Sequence, residues 1–108
     1  MIHVRKVAPE YFEALRSGRK RFELRDERYA EEPFAAGDFL ALNEWDPEGG
    51  AQLFQENGVI ATAGHYTGRC LLFEILYVLR NYELLTPGAV CLSLSLRPLR
   101  PDDVAAIR

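Results

Sequence analysis

The sequence predicts one α+β domain that is mostly β: a small barrel of five or six short strands, largely antiparallel, with one early helix capping it. Three observations carry this expectation. Period-two alternation of apolar side chains returns in segment after segment between Ile2 and Leu96, the mark of half-buried strands. Helical spacing of large apolar residues stands out near the N-terminus, at Tyr11, Phe12 and Leu15. Strands and helices do not alternate regularly, which argues against a doubly wound parallel sheet. Short strands without covering helices protect their edges by closing on themselves.

The elements follow in order. Ile2 to Val7 reads as a first strand, with Ile2 and Val4 on one face and His3 and Arg5 on the other. Pro9 suits the first position of a short helix running to about Ser17, and Gly18 suits its C-terminal cap. Lys20 to Asp26 alternates, Phe22 and Leu24 pointing one way and Arg21, Glu23 and Arg25 the other. Glu27 to Ala36 is polar, contains Pro33 and reads as a loop that Phe34 plugs onto the core. Gly37-Asp38 is a turn, and Phe39 to Trp45, nearly continuous in apolar content, is a central strand. Residues 46–64 are too long for an ordinary connection and read as a flap, or as an insertion with its own hairpin near Val59-Ile60-Ala61. Tyr66 to Leu79 is a long strand with Leu71, Phe73, Ile75 and Tyr77 on one face. After the breaker Pro87-Gly88, Ala89 to Leu96 is the last strand, with Val90, Leu92, Leu94 and Leu96 inward. Residues 98–108 form a tail with a short helix expected over Asp102 to Ile107.

Composition bounds the function. At 108 residues, 48% hydrophobic and 27% charged, this is the make-up of one globular domain rather than a disordered segment. No apolar run approaches the ~20 residues of a membrane span, so no membrane partner is expected. Met1 to Lys6 has no apolar stretch behind its charges, so no signal peptide is expected and a cytoplasmic location is. Cys70 and Cys91 lie in apolar runs and read as small buried hydrophobes, not a disulfide. With only His3 and His65 to join them, zinc-type spacing is missing, and neither a metal nor a cofactor is expected.

The net charge of −3 hides an asymmetry: residues 1–28 carry eight bases and five acids, and residues 29–68 carry seven acids and no base. Such a balance argues against loose coating of nucleic acid but permits a local basic pocket around Arg16, Arg19, Lys20, Arg21, Arg25 and Arg28. Pairing of these bases with Glu13, Glu23, Asp26 and Glu27 on a solvated face is the reading that charge alone favours.

Gly18 to Arg25 fits G-x-K-x-x-E-x-R and resembles the signature of ASCH domains, members of the PUA-like superfamily of small β-barrels. Gly37-Asp38-Phe39-Leu40 resembles the turn these domains place before a central strand. Pro9-Glu10-Tyr11-Phe12, Asn43-Glu44-Trp45-Asp46 and Tyr66-Thr67-Gly68-Arg69 are similar to a bacterial and phage branch of the group, from which residues 49–64 depart as an insertion. The resemblance covers about residues 2–97 and implies a PUA-like barrel that binds RNA or modified nucleobases near the motif. It also implies alternatives: an amidohydrolase acting on acetylated cytidine, or a ribonuclease. The amidohydrolase members use a lysine, a threonine and a glutamate. Lys20 matches the lysine, while Glu23 stands where they have threonine.

The residues themselves suit anion binding. Lysine offers a point charge, arginine a planar fork, and glutamate an acceptor or a brace for both. Lys20, Glu23 and Arg25 are expected to line one cleft, although a surface ladder of the same charges would look alike in sequence. Lys20 shares parity with Phe22 and Leu24, but it lies just after the Gly18 cap, where its long stem can curl round the rim. Arg69 or Tyr66 is expected to approach from the neighbouring segment, Arg21 to add a cation, and Thr67 a hydroxyl. Trp45 and Tyr66 suit stacking on a base or packing at a barrel end. Glu74 is either solvated or a partner for Arg25, and His65 is a loop residue before it is a base. The function expected is a module for single-stranded RNA or a modified nucleotide. The alternatives are a small hydrolase using Lys20 and Glu23, and a protein-interaction domain such as a phage-encoded inhibitor.

Overall fold

Two strands that lie close in sequence border the sheet on opposite sides. In the computed structural model, which describes residues 1–28, 30, 32–50, 52–54, 60–100 and 102–103, the main sheet runs in the order β1-β3-β6-β7-β2. The strands are β1 (Ile2–Val7), β2 (Phe22–Asp26), β3 (Phe39–Asp46), β6 (His65–Leu79) and β7 (Ala89–Leu94). β1 pairs with β3 in parallel, and every other pair is antiparallel. A separate two-stranded ladder joins β4 (Gln52–Phe54) to β5 (Ile60–Thr62) within the 46–64 segment. Val59, and the expected terminal helix beyond Asp103, lie outside the described residues.

The expected closed barrel is not formed. No ladder joins β1 to β2 among the described residues, and the five-stranded mixed sheet stays open along that seam. It is nonetheless curved enough to bring its borders together, because Arg25 Nη2 reaches across to donate to the Lys6 carbonyl at 2.9 Å. Barrel closure depends on backbone register between the two borders, which local alternation does not encode.

The core lies inside this curve, built from Leu40 and Leu42 of β3, Leu71, Phe73 and Ile75 of β6, and Val90, Leu92 and Leu94 of β7. The helix α1 (Pro9–Arg16) covers the end near Val7 with Phe12 and Leu15, each contributing roughly 1.5–3 kcal/mol by burial. Phe34 covers the end near His3, its ring 4.6 Å from the imidazole. α1 begins with Pro9 at a position that needs no N–H donor. It ends where Gly18 adopts φ 82° and Lys20 N–H returns to the Ala14 carbonyl at 3.0 Å. That bond keeps Lys20 on the helix end, so β2 starts at Phe22 rather than Lys20.

Four expectations are corrected by this packing. Both border strands turn a polar residue inward: His3 and Glu23 are buried, while Ile2, Val4, Phe22 and Leu24 are exposed. Burial of His3 is compensated by Asp38, 2.8 Å from Nε2, and that of Glu23 by two cations. Tyr77 leaves the face of Ile75 because the β6–β7 register shifts between them, bringing Val78 to the core instead. Leu96 is exposed because the ladder ends at Leu94. The free cysteines are also less buried than their runs suggest, Cys70 being exposed and Cys91 half-buried.

Candidate functional site

The open seam holds the cluster. A cleft of 490 Å³ is lined by Lys6, Val7 and Ala8 at the end of β1, Tyr11 of α1, Lys20, and Phe22 to Arg25 of β2. Alternation places Glu23 and Arg25 on one face of β2, and the helix-end turn lays Lys20 beside them. Glu23, 3% exposed, receives Lys20 Nζ on Oε1 and Arg25 Nε on Oε2, the latter at 2.9 Å. One carboxylate thus neutralises one of two cations and fixes both. Lys20 Nζ also lies 4.6 Å from the centre of the Tyr11 ring and 5.4 Å from that of Phe22. The chemistry available is anion attraction beside aromatic faces.

A second, smaller cleft of 280 Å³ adjoins it, sharing Lys6, Val7, Ala8 and Arg25 and adding Trp45 and Pro47. Lys6 Nζ stands 4.9 Å from the centre of the Trp45 indole. Trp45 meets Tyr66 edge-on at 4.8 Å, so the two aromatics pack on each other. Gly64 backs the indole. It holds φ 73°, and a Cβ there would come within 2.5 Å of Trp45 Cζ2.

Thr67 and Arg69 belong to a different cluster. Thr67 Oγ1 donates to the buried Glu44 at 2.6 Å, and Arg69 lies 3.8 Å from the same carboxylate. Arg69 also donates to Glu13 and sits 4.3 Å over the Phe12 ring, pinning α1 to β6. Hydrogen bonds from Arg16 and then Arg69 hold the Glu13 carboxyl down at about 2. Tyr66 and Arg69 line a separate hollow with Asn43 and Gly68, and neither lines the cleft of Lys20. The Thr67 hydroxyl is therefore committed to Glu44 and is not set beside Lys20 and Glu23.

Arg21 donates to the Gly18 carbonyl at 3.2 Å and stays outside the cleft. His65 opens β6 opposite Asp46, its ring laid against Gly49. Glu74 is half-buried opposite Phe39, and the carboxylate that meets Arg25 is Glu23. Among the described residues, no group of three His, Cys, Asp or Glu side chains is placed to hold a metal ion, and no helix is long and apolar enough to cross a membrane.

Sequence reasoning missed Lys6, Tyr11 and Glu44. The available signal for Lys6 was the doublet Arg5-Lys6 at a strand end just before Pro9, since a strand that runs into a helix delivers its last side chains to the sheet rim.

No curated protein matches the chain. A family model does, over residues 2–94, a span that takes in every strand of the main sheet, α1 and the residues of both clefts. The chain therefore belongs to the family described as Domain of unknown function (DUF3850).

Proposed function

We propose that the chain is a nucleotide-recognising module that takes a modified nucleotide, or one nucleotide of a single RNA strand, in the cleft of Lys20, Glu23 and Arg25. One observation carries the reading: these three residues share a 490 Å³ cleft with Tyr11 and Phe22. Cations, a fixed carboxylate and aromatic faces thus converge on a space within the usual range for small-ligand sites. The resemblance of Gly18 to Arg25 to the ASCH signature supports the same reading. A splayed base fits such a cleft, whereas a duplex keeps its bases stacked away from it. The net charge of −3 favours one local contact over charge-driven coating of long nucleic acids.

The test compares wild type with Lys20→Ala and Arg16→Ala, using labelled single-stranded RNA in anisotropy and nucleotides in calorimetry. Arg16 is the control of equal charge, an exposed helix residue already paired with Glu13 at 2.8 Å. Lys20→Ala is expected to weaken binding about tenfold or more near physiological salt, and Arg16→Ala by less than about twofold. Equal losses, or no binding by wild type, reject the reading.

A further inference from the structure

We propose that the ligand of this site is phosphorylated, and that Lys6, outside the sequence motif, is the residue that takes its phosphate. The inference rests on the nucleotide reading and narrows it to nucleoside phosphates over unphosphorylated nucleosides.

The two adjoining clefts share a wall made by Lys6, Val7, Ala8 and Arg25. Three cations, Lys6, Lys20 and Arg25, line them against the single carboxylate of Glu23. Glu23 already serves Lys20 and Arg25. Lys6 forms no ion pair among the described residues, and its ammonium rests on the Trp45 indole at 4.9 Å. A cation on an aromatic face holds a weaker partner than a cation on a charged oxygen. Arg25 Nη2, bonded to the Lys6 carbonyl at 2.9 Å, fixes the backbone from which Lys6 projects and sets a guanidinium beside it.

The charge balance selects the ligand class. Three cations against one carboxylate leave a surplus of two positive charges. A phosphomonoester carries about −1.5 to −2 at pH 7 and matches that surplus. A neutral nucleoside leaves it unmet. With the nucleoside against Tyr11 and Phe22, the phosphate falls at the shared wall, and Lys6 swings from Trp45 onto it.

Calorimetry of each common ribonucleoside against its 3′- and 5′-monophosphates tests this, alongside the emission of Trp45, the sole tryptophan of the chain. Wild type is expected to bind at least one monophosphate about tenfold or more tightly than its nucleoside. Lys6→Ala is expected to erase that gap by weakening the monophosphate about tenfold or more, and only the monophosphate changes Trp45 emission in wild type. Equal affinities in wild type, or a gap that survives Lys6→Ala, overturn this inference and leave the nucleotide reading standing. Failure of every nucleoside, monophosphate and single-stranded RNA to bind wild type overturns both.

Discussion

Arg25 and Lys6 face each other across the open seam of the sheet, joined by a guanidinium-to-carbonyl hydrogen bond of 2.9 Å where a backbone ladder would otherwise run. The same guanidinium meets the buried Glu23, so one side chain holds the two borders together and anchors the cleft between them.

Arg25→Ala is expected to remove both contacts. Glu23 keeps Lys20, so its charge is not orphaned, and the expected cost is about 1–3 kcal/mol. Urea unfolding reads it as a lower midpoint with an unchanged slope. A loss no larger than that of an exposed control such as Arg16→Ala would show that the seam does not depend on this bridge.

Thr67→Val keeps the shape of the side chain and deletes the hydroxyl that donates to Glu44 at 2.6 Å. Glu44 is 4% exposed and, among the described residues, would retain only the more distant Arg69, 3.8 Å away. A cost of about 1–3 kcal/mol is expected in chemical unfolding. Because this cluster lies outside the cleft of Lys20, nucleotide affinity measured on folded protein should stay within about twofold of wild type.

Gly64→Ala places a methyl group against the Trp45 indole at a positive φ. Strain and contact together are expected to cost about 1–3 kcal/mol. The emission maximum of Trp45 should shift in the folded state before any denaturant is added. An unshifted spectrum would mean that Gly64 does not set the position of the indole.

Acid should loosen the loop that carries Phe34. Glu27 receives Arg80 on both oxygens at 2.8 Å, and the Phe34 N–H at 2.8 Å. The Arg80 hydrogen bond is the main cause that holds its carboxyl below the ordinary glutamate value, against the opposing effect of burial. Asp38 is likewise lowered, first by its hydrogen bond with His3. Groups lowered by folding contribute fully above their unfolded pKa, and the contribution is lost as pH falls through the folded one. The melting temperature should therefore hold from neutrality to about pH 5 and fall below roughly pH 4. Glu27→Gln should melt roughly 4–8 °C lower at neutral pH for ~1 kcal/mol lost, and show a shallower acid decline.

Sequence reasoning reached the elements whose information is local. Pro9 and Gly18 bracket α1, and the alternation around Leu40, Leu42, Phe73 and Val90 marks central strands. It failed at the borders, where partners decide. His3 turns inward because Asp38, from another segment, satisfies it, and Glu23 because Lys20 on the helix-end turn joins Arg25 of its own strand in pairing with it. Tyr77 was misplaced because the register shift of β6 against β7 has no glycine or proline to announce it. The Lys20–Glu23–Arg25 grouping was legible because it spans six residues. Lys6 and Tyr11 were not, since only the folded sheet brings β1 and α1 to β2.

The strand order also sets a schedule for synthesis. β1 and β2 emerge early, separated only by α1, yet each must pair with a strand made later: Ile2 with Phe39, and Phe22 with Ser93. The cleft residues on β2 have no native strand partner until β7 has left the ribosome, whereas Lys6 and Val7 can pair once β3 is made. Nascent chains stalled before Ala89 should consequently expose β2 as an unpaired edge to proteases and chaperones, and the cleft should be among the last parts of the molecule to exist.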